Sequence, residues 1–383
     1  HERGDLHPVP WEKMNELFGL EIWQDAYLWD DATSAAAERM KMKKESQTAF
    51  MENHRAYPLG RTRILDEPVY ATALYGGEAH VESLSMVFLN RGDIPRHQET
   101  RISPPSAEEI EASGTHVYER IFPVLGEPER DSLGRDDLRE KVWRWDWNNH
   151  AIMLSLQEGK YAALRIMPTD RADRGGRIDK LSDDELKQRV IACVERRKNG
   201  DIIIGNIPMI NQGPKGYCSP ATWERYLRYL DIPADMYLLA LAAGTGAGGG
   251  TYSHAIVEAT SNIVSSNGRK LKEIASKPTV KLVSRYIDQG LPIMWSLRST
   301  PDFQLAASNN TAVRNGKPAR KTNRSGQSED TSASGHICLI VGYNPQTSEI
   351  AISDSWGPKF TERWVPLDRI QAASMGSMYV IRW

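Results

Sequence analysis

The stretch that most constrains the fold of this chain is INQGPKGYCSPATWERYLRYL, residues 210–230. Gly213, Pro214 and Gly216 make a turn. Pro220 suits the first turn of a helix, where its missing N–H removes no hydrogen bond. Beyond it Trp223, Tyr226, Leu227 and Leu230 recur at spacings of three and four, which predicts an amphipathic helix with one buried face. Cys218 then stands at or near the mouth of that helix, where the macrodipole and free N–H groups favour negative charge and raise the thiolate fraction of a thiol. A cysteine kept for packing belongs on the Tyr226/Leu230 face instead. Gln212, six positions earlier, is equally out of place as a core residue.

A thiol nucleophile needs a base, and the base needs a group to orient it. Of nine histidines only His254 and His336 follow Cys218. His254 reads as a surface or capping residue at the start of a helix. His336 opens HICLIVGY (336–343), and EIAISD (349–354) follows across the Asn-Pro turn NPQTS. With Gly342 facing Ile350, His336 stands opposite Trp356 and diagonal to Asp354. His336, Cys338, Ile340, Ile350, Ile352 and Asp354 then share one face of a two-stranded ribbon. Diagonal neighbours sit about 7–8 Å apart at Cα, within reach of an imidazole and a carboxylate. His336 would take the Cys218 proton, Asp354 would hold the ring and its tautomer, and the Gln212 amide with the Cys218 N–H would receive an oxyanion.

Length and composition bound the rest. At 383 residues the chain is long enough for two or more domains, and a net charge of −2 gives no reason to expect nucleic acid or an anionic membrane surface as partner. Cys193, Cys218 and Cys338 are too few for a disulfide framework and allow at most one pair. There is no CxxC, no HExxH and no His/Cys cluster at ligand spacing, so neither a metal nor a cofactor is expected. Residues 236–257, MYLLALAAGTGAGGGTYSHAIV, lack charge, but their glycine run argues for helix, loop and helix over a membrane span. The start HERGDLHP lacks an initiator Met, as an exported chain without its signal peptide would, and as any chain boundary would.

The expected organisation is α+β in two parts, a separate N-terminal domain over 1–170 and a second domain over 171–383. In the first, VPWEKMNELFGL predicts a short helix, 69–75 and 81–89 a hairpin, 106–125 a helix capped by Ser106 and stopped at Gly126, and 141–147, 150–156 and 160–166 three strands. Trp143, Trp145 and Trp147 make one aromatic face of KVWRWDW, expected to pack under the 106–125 helix. The polar segment 168–182 marks the boundary, and a helix is expected over 182–198. In the second, strands are expected near 291–297, 336–343, 348–354 and 377–382. The polar stretch 299–334, carrying Arg314, Lys317, Arg320, Lys321 and Arg324, reads as one long solvated loop.

Gln212–x5–Cys218, Gly335–His336 running into a strand that ends VGY, and DSWG at 354–357 together resemble the papain-like cysteine peptidases, and within them the C39-like bacterial branch. The resemblance covers residues 202–383. It implies a papain-like fold, with a helical half carrying the cysteine and an antiparallel β half carrying the histidine. It further implies Cys218 as nucleophile, His336 as base, Asp354 as orienter, Gln212 as oxyanion-hole donor, and a peptide or protein as substrate. Trp356 falls where the family places an aromatic that shields the orienter–histidine hydrogen bond on the substrate side. Gly249 and Gly250 fall where a Gly-Gly loop pairs with extended substrate backbone. Ser219 and Pro220 depart from papain, which has an aromatic directly after its nucleophile, and Asp354 stands where papain has Asn. The segment GTGAGG (244–249) has the spacing of a dinucleotide loop, but the preceding ADMYLLALAA reads as helix, not strand. The rival readings are transglutaminase-like acyl transfer, a cell-wall amidase, and a non-catalytic peptide-binding module.

Overall fold

The computed structural model describes residues 6–77, 79–93, 104–157, 159–245, 253–275, 277–319 and 334–383. The chain divides into two compact units. One comprises His1–Asp179 with Gly213–Lys215 and Ala240–Gly249, the other Lys180–Gln212, Gly216–Leu239 and Gly250–Trp383.

In the first unit helices α1 (Trp11–Phe18) and α2 (Thr33–Arg39) precede strands β1 (Lys43–Gln47) and β2 (Glu52–Ala56). A small hairpin, β3 (Thr62–Ile64) and β4 (Glu67–Val69), leads to β5 (Ala71–Gly76) and β6 (Val81–Asn90). Helix α3 (Ala107–Leu125) follows, then β7 (Glu129–Leu133), β8 (Glu140–Trp147), β9 (His150–Gln157), β10 (Tyr161–Pro168) and α4 (Thr169–Asp173). The main sheet runs β1-β2-β5-β6-β10-β9-β8-β7, antiparallel throughout. Local signals explain the ends of α3. Ser106 and Glu109 form a reciprocal capping box, and Gly126 follows the last turn at φ 80°.

The tryptophan face of β8 is core. Trp145 and Trp147 are buried, and Tyr118 of α3 meets Trp143 and Trp145 at 5.4 and 5.7 Å between ring centres. Both buried indoles donate to backbone oxygens, Trp145 to Gly126 and Trp147 to Val9, each at 2.8 Å.

The second unit opens with α5 (Asp183–Ala192), again started by a capping box, Ser182 with Glu185. The helix expected over 182–198 ends there. Val194–Arg196 is strand β11, paired with β12 (Ile202–Ile204). Asn199–Gly200 between them is a hairpin signal, with Gly200 at φ 86°, that also resembles a helix stop. Next come α6 (Cys218–Tyr229), α7 (Met236–Ala242, of which residues 240–242 belong to the first unit), α8 (Ser253–Ser266), β13 (Lys270–Ile274), α9 (Val280–Ile287), β14 (Ile293–Ser299) and α10 (Pro301–Arg314). The chain closes with β15 (Ser334–Asn344), β16 (Glu349–Ser353), β17 (Arg363–Pro366), α11 (Leu367–Ala373) and β18 (Ser374–Arg382). The sheet order is β11-β12-β15-β14-β18-β13, with β16 on β15 and β17 on β16. Mixed helix and antiparallel sheet is the α+β content expected. Among the described residues no helix is long and apolar enough to cross a membrane.

The polar stretch 299–334 is not one loop. Thr300 caps α10 by accepting from Phe303 N at 3.1 Å, and Pro301 sits in the first turn. Arg314, expected in solvent, pairs with Asp201 and Glu349 and lies 4.2 Å from the Trp364 ring centre. Arg320, Lys321 and Arg324 fall outside the described residues.

The β15–β16 register corrects the expected pairing and keeps its consequence. Gly342 pairs with Ala351, not Ile350, but a bulge between Ile340 and Gly342 shifts the ladder by one. Beyond it Ile340 faces Ile352 and Leu339 faces Ser353, as the expected alignment requires at the His336 end.

Candidate active site

Helix α6 begins at Cys218 itself, with Tyr217 as N-cap. Its first-turn N–H groups have no intrahelical acceptor and face the sulfur end. The helix is buried on nearly every side, and its charged residues have partners. Glu224 bonds Arg228 Nε and Met236 N, both at 2.8 Å. Arg225, with no exposed surface, donates to Pro208 O at 2.9 Å and to Ser353 O at 3.1 Å. It therefore ties the approach to Gln212 to the end of β16. Thr222 Oγ1 reaches Cys218 O at 2.6 Å and Ser355 Oγ at 3.2 Å, and Gln212 N donates to Ser355 O at 2.9 Å.

His336 and Asp354 meet as the hairpin parity predicts. His336 Nε2 lies 2.8 Å from Asp354 Oδ1. Trp356 stacks on the imidazole at 4.6 Å and 22°, which fits residues opposed across the ribbon. With Nε2 engaged, Nδ1 is the ring nitrogen left for the Cys218 thiol, which hydrogen-bonds His336. Asp354 is wholly buried, and its Oδ2 accepts from Arg363 Nε at 2.9 Å and Nη2 at 2.6 Å.

These contacts set the charges. Burial opposes ionisation of the half-buried Cys218 thiol, but the His336 hydrogen bond and charge, with the N–H groups of Ile337 and Ser219, lower its pKa overall. Burial likewise opposes the imidazolium, yet the Asp354 hydrogen bond and the thiol raise His336 to about 9. Burial alone would push the Asp354 carboxyl up; the His336 hydrogen bond and the Arg363 cation bring it below the usual value. Both shifts run in the direction of a thiolate–imidazolium pair.

The remaining candidates are dispersed. Gly249 and Gly250 lie outside the described residues. His254 is an exposed side chain near Glu258. Cys193, Cys218 and Cys338 are all free thiols, and burial pushes Cys193 and Cys338 up, so both are poor nucleophiles. Among the described residues no His/Cys/Asp/Glu group could hold a metal ion. Sequence reasoning missed Arg225 and Arg363. Arg225 follows Glu224 on a helix expected to show solvent its polar side, and Arg363 lies on a four-residue strand without a hydrophobic run.

Residues 204–378 match the model of the Peptidase_C39 like family. Two solved structures are similar at low identity. The peptidase domain of Streptococcus ComA, a bifunctional ABC transporter involved in a quorum-sensing pathway, is 15% identical with a TM-score of 0.29 over 45% of this chain and 96% of its own. Xylellain, a cysteine protease from Xylella fastidiosa, is 12% identical with a TM-score of 0.33 over 53% of this chain and 94% of its own. No curated protein matches. On the family match, residues 204–378, with Cys218, His336 and Asp354 among them, are similar to the C39-like cysteine-type peptidases.

Proposed function

We propose that this region hydrolyses peptide bonds with Cys218 as nucleophile, His336 as base, Asp354 as orienter and Gln212 as oxyanion donor. One observation carries the reading: a single imidazole takes the Asp354 carboxylate on Nε2 at 2.8 Å and the Cys218 thiol through a second hydrogen bond. His336 Nδ1 accepts the thiol proton, and the sulfur attacks the scissile carbonyl carbon. The carbonyl π electrons move to oxygen, and the oxyanion takes hydrogen bonds from the Gln212 amide and the Cys218 N–H. Collapse expels the amine, which leaves with the proton held on His336, and a thioester remains. Water then attacks the thioester, giving its proton to His336, and release of the acid returns that proton to sulfur.

Trp356 covers the imidazole, which supports a role in keeping water from the His336–Asp354 bond and in lining the substrate side. Residues 1–170 would serve as a separate substrate-binding, inhibitory or scaffolding domain. The test is cleavage of a peptide library by the purified chain, with Cys218→Ala as control. Cleavage that survives in Cys218→Ala refutes the mechanism. Transfer to an added amine in preference to water would replace hydrolysis by transglutaminase-like chemistry, and release of peptides from peptidoglycan alone would assign an amidase.

A further inference from the structure

Asp354 divides its two oxygens between two partners: Oδ1 bonds His336 Nε2, and Oδ2 takes both Arg363 Nε and Nη2. Arg363 is itself 4% exposed, and β17 fixes its backbone by pairing Arg363 with Ile352 of β16. Its guanidinium carbon lies 5.5 Å from the ring centres of both Trp356 and Phe360, and Trp356 stacks on His336. One buried side chain thus holds the carboxylate and underlies the aromatic that covers the imidazole. Building on the Cys218–His336 reading, we propose that Arg363 is a positioning residue that keeps Asp354 charged and in one orientation, so that His336 presents Nδ1 to the Cys218 thiol.

The physical reason is the cost of a dry anion. A carboxylate without water needs a permanent cation or it takes up a proton. His336 cannot be that cation, because its own charge changes during each cycle, whereas a guanidinium stays charged throughout. A protonated Asp354 would donate to Nε2. The ring hydrogen would then sit on Nδ1, facing sulfur, and no lone pair would be left for the thiol proton. The charged and titratable groups that act on the carboxylate are His336 and Cys338 from β15 and Arg363 from β17, and Cys338 in turn faces Arg225 and Cys218 of α6. Arg363 also acts in the opposite sense, because a neighbouring cation disfavours a second positive charge on His336. The direction of the pH shift on removing Arg363 therefore decides between the two effects.

The experiment is iodoacetamide alkylation of Cys218, followed by peptide mass spectrometry across pH, in the wild type, Arg363→Gln, Arg363→Lys, Asp354→Asn and the Arg363→Gln/Asp354→Asn double variant. Arg363→Gln is expected to move the acid limb of thiol reactivity up by about one to three pH units. Arg363→Lys should keep the limb near its wild-type position at a lower plateau. The double variant should match Asp354→Asn alone, since without the carboxylate Arg363 has nothing to hold. An acid limb that stays in place or moves down in Arg363→Gln overturns the proposal. So does a double variant that departs from Asp354→Asn as far as Arg363→Gln departs from wild type. Should Arg363→Gln not fold, the Arg363→Lys limb and the comparison in the Asp354→Asn background decide the matter. A wild-type thiol no more reactive than an ordinary cysteine would refute the thiolate–imidazole reading itself, an outcome distinct from those that concern Arg363.

Discussion

Two histidines, one in each unit, are both buried, and their surroundings move their pKa values in opposite directions. His150 of the first unit lies among Trp29, Trp147 and Trp23, with ring centres at 4.7, 5.1 and 5.7 Å. Its Nε2 accepts from Trp23 Nε1 at 3.1 Å, and its Nδ1 meets the Trp147 and Asn148 carbonyls. All its partners are neutral, so burial decides and lowers its pKa to about 4. His336 of the second unit is 7% exposed but faces a carboxylate and a thiol, and its pKa rises to about 9. Burial alone therefore does not set the charge of a histidine. The charge of the partners sets the sign.

The largest expected effect is on turnover. Cys218→Ala should reduce peptide hydrolysis to background, and His336→Ala should lower kcat by about 10²–10⁴-fold, whereas His150→Gln should leave kcat unchanged if the molecule is folded. Hydrolysis assays on the three variants would break the contrast if His150→Gln were the damaging one.

Next is the effect of the orienting charge. Asp354→Asn should cost less activity than either of those catalytic substitutions and bring the His336 pKa down from about 9. Histidine ring NMR should find His336 protonated up to about 9 and His150 neutral down to about 4. Matching titrations for the two rings would remove the distinction.

Stability should depend on pH in opposite directions. His150 has a folded pKa below its unfolded value near 6.5, so its contribution is present above that value and fades as pH falls toward 4. The full difference is on the order of 3 kcal/mol. His336 has a raised folded pKa, so its contribution is complete below about 6.5 and is lost as pH climbs through about 9. Asp354, with a lowered pKa, adds stability above the ordinary carboxylate range and loses it as pH falls through its folded value. Thermal melts from pH 4 to 10 should show His150→Gln flattening the acid side and His336→Ala the alkaline side. The smallest effect is for Trp143→Phe, at the half-buried end of the tryptophan stripe. It should cost about 1 kcal/mol or less of stability and no activity, and a loss of peptide binding would mark the stripe as a ligand platform instead.

Where chemistry is local, the sequence was enough. Ser106 with Glu109 and Ser182 with Glu185 capped their helices, because a capping box closes within one turn. Cys218 fell on the first residue of α6 because the Gly/Pro turn before it and Pro220 in the first turn are also local signals. The parity that joined His336 to Asp354 is a period-two property of strands, and a bulge near Gly342 altered the pairing without moving either residue off the shared face. The misreadings also have causes. Asn199–Gly200 serves equally as helix stop and hairpin turn, so β11 was hidden inside a longer helix. Helix α10 has little apolar periodicity, because Arg314 and Asn310 hold it to Glu349 by polar bonds.

By itself the sequence determined the helix that opens on Cys218, the hairpin carrying His336 toward Asp354, and the order in which those residues occur, since each depends on neighbours a few positions apart. Only the tertiary structure decided that Arg363 would neutralise Asp354 and that Arg225 would bind the Gln212 approach to the end of β16. An arginine in a sequence carries no mark of burial. Its place inside a protein depends on carboxylates and carbonyls brought to it by strands and helices distant along the chain.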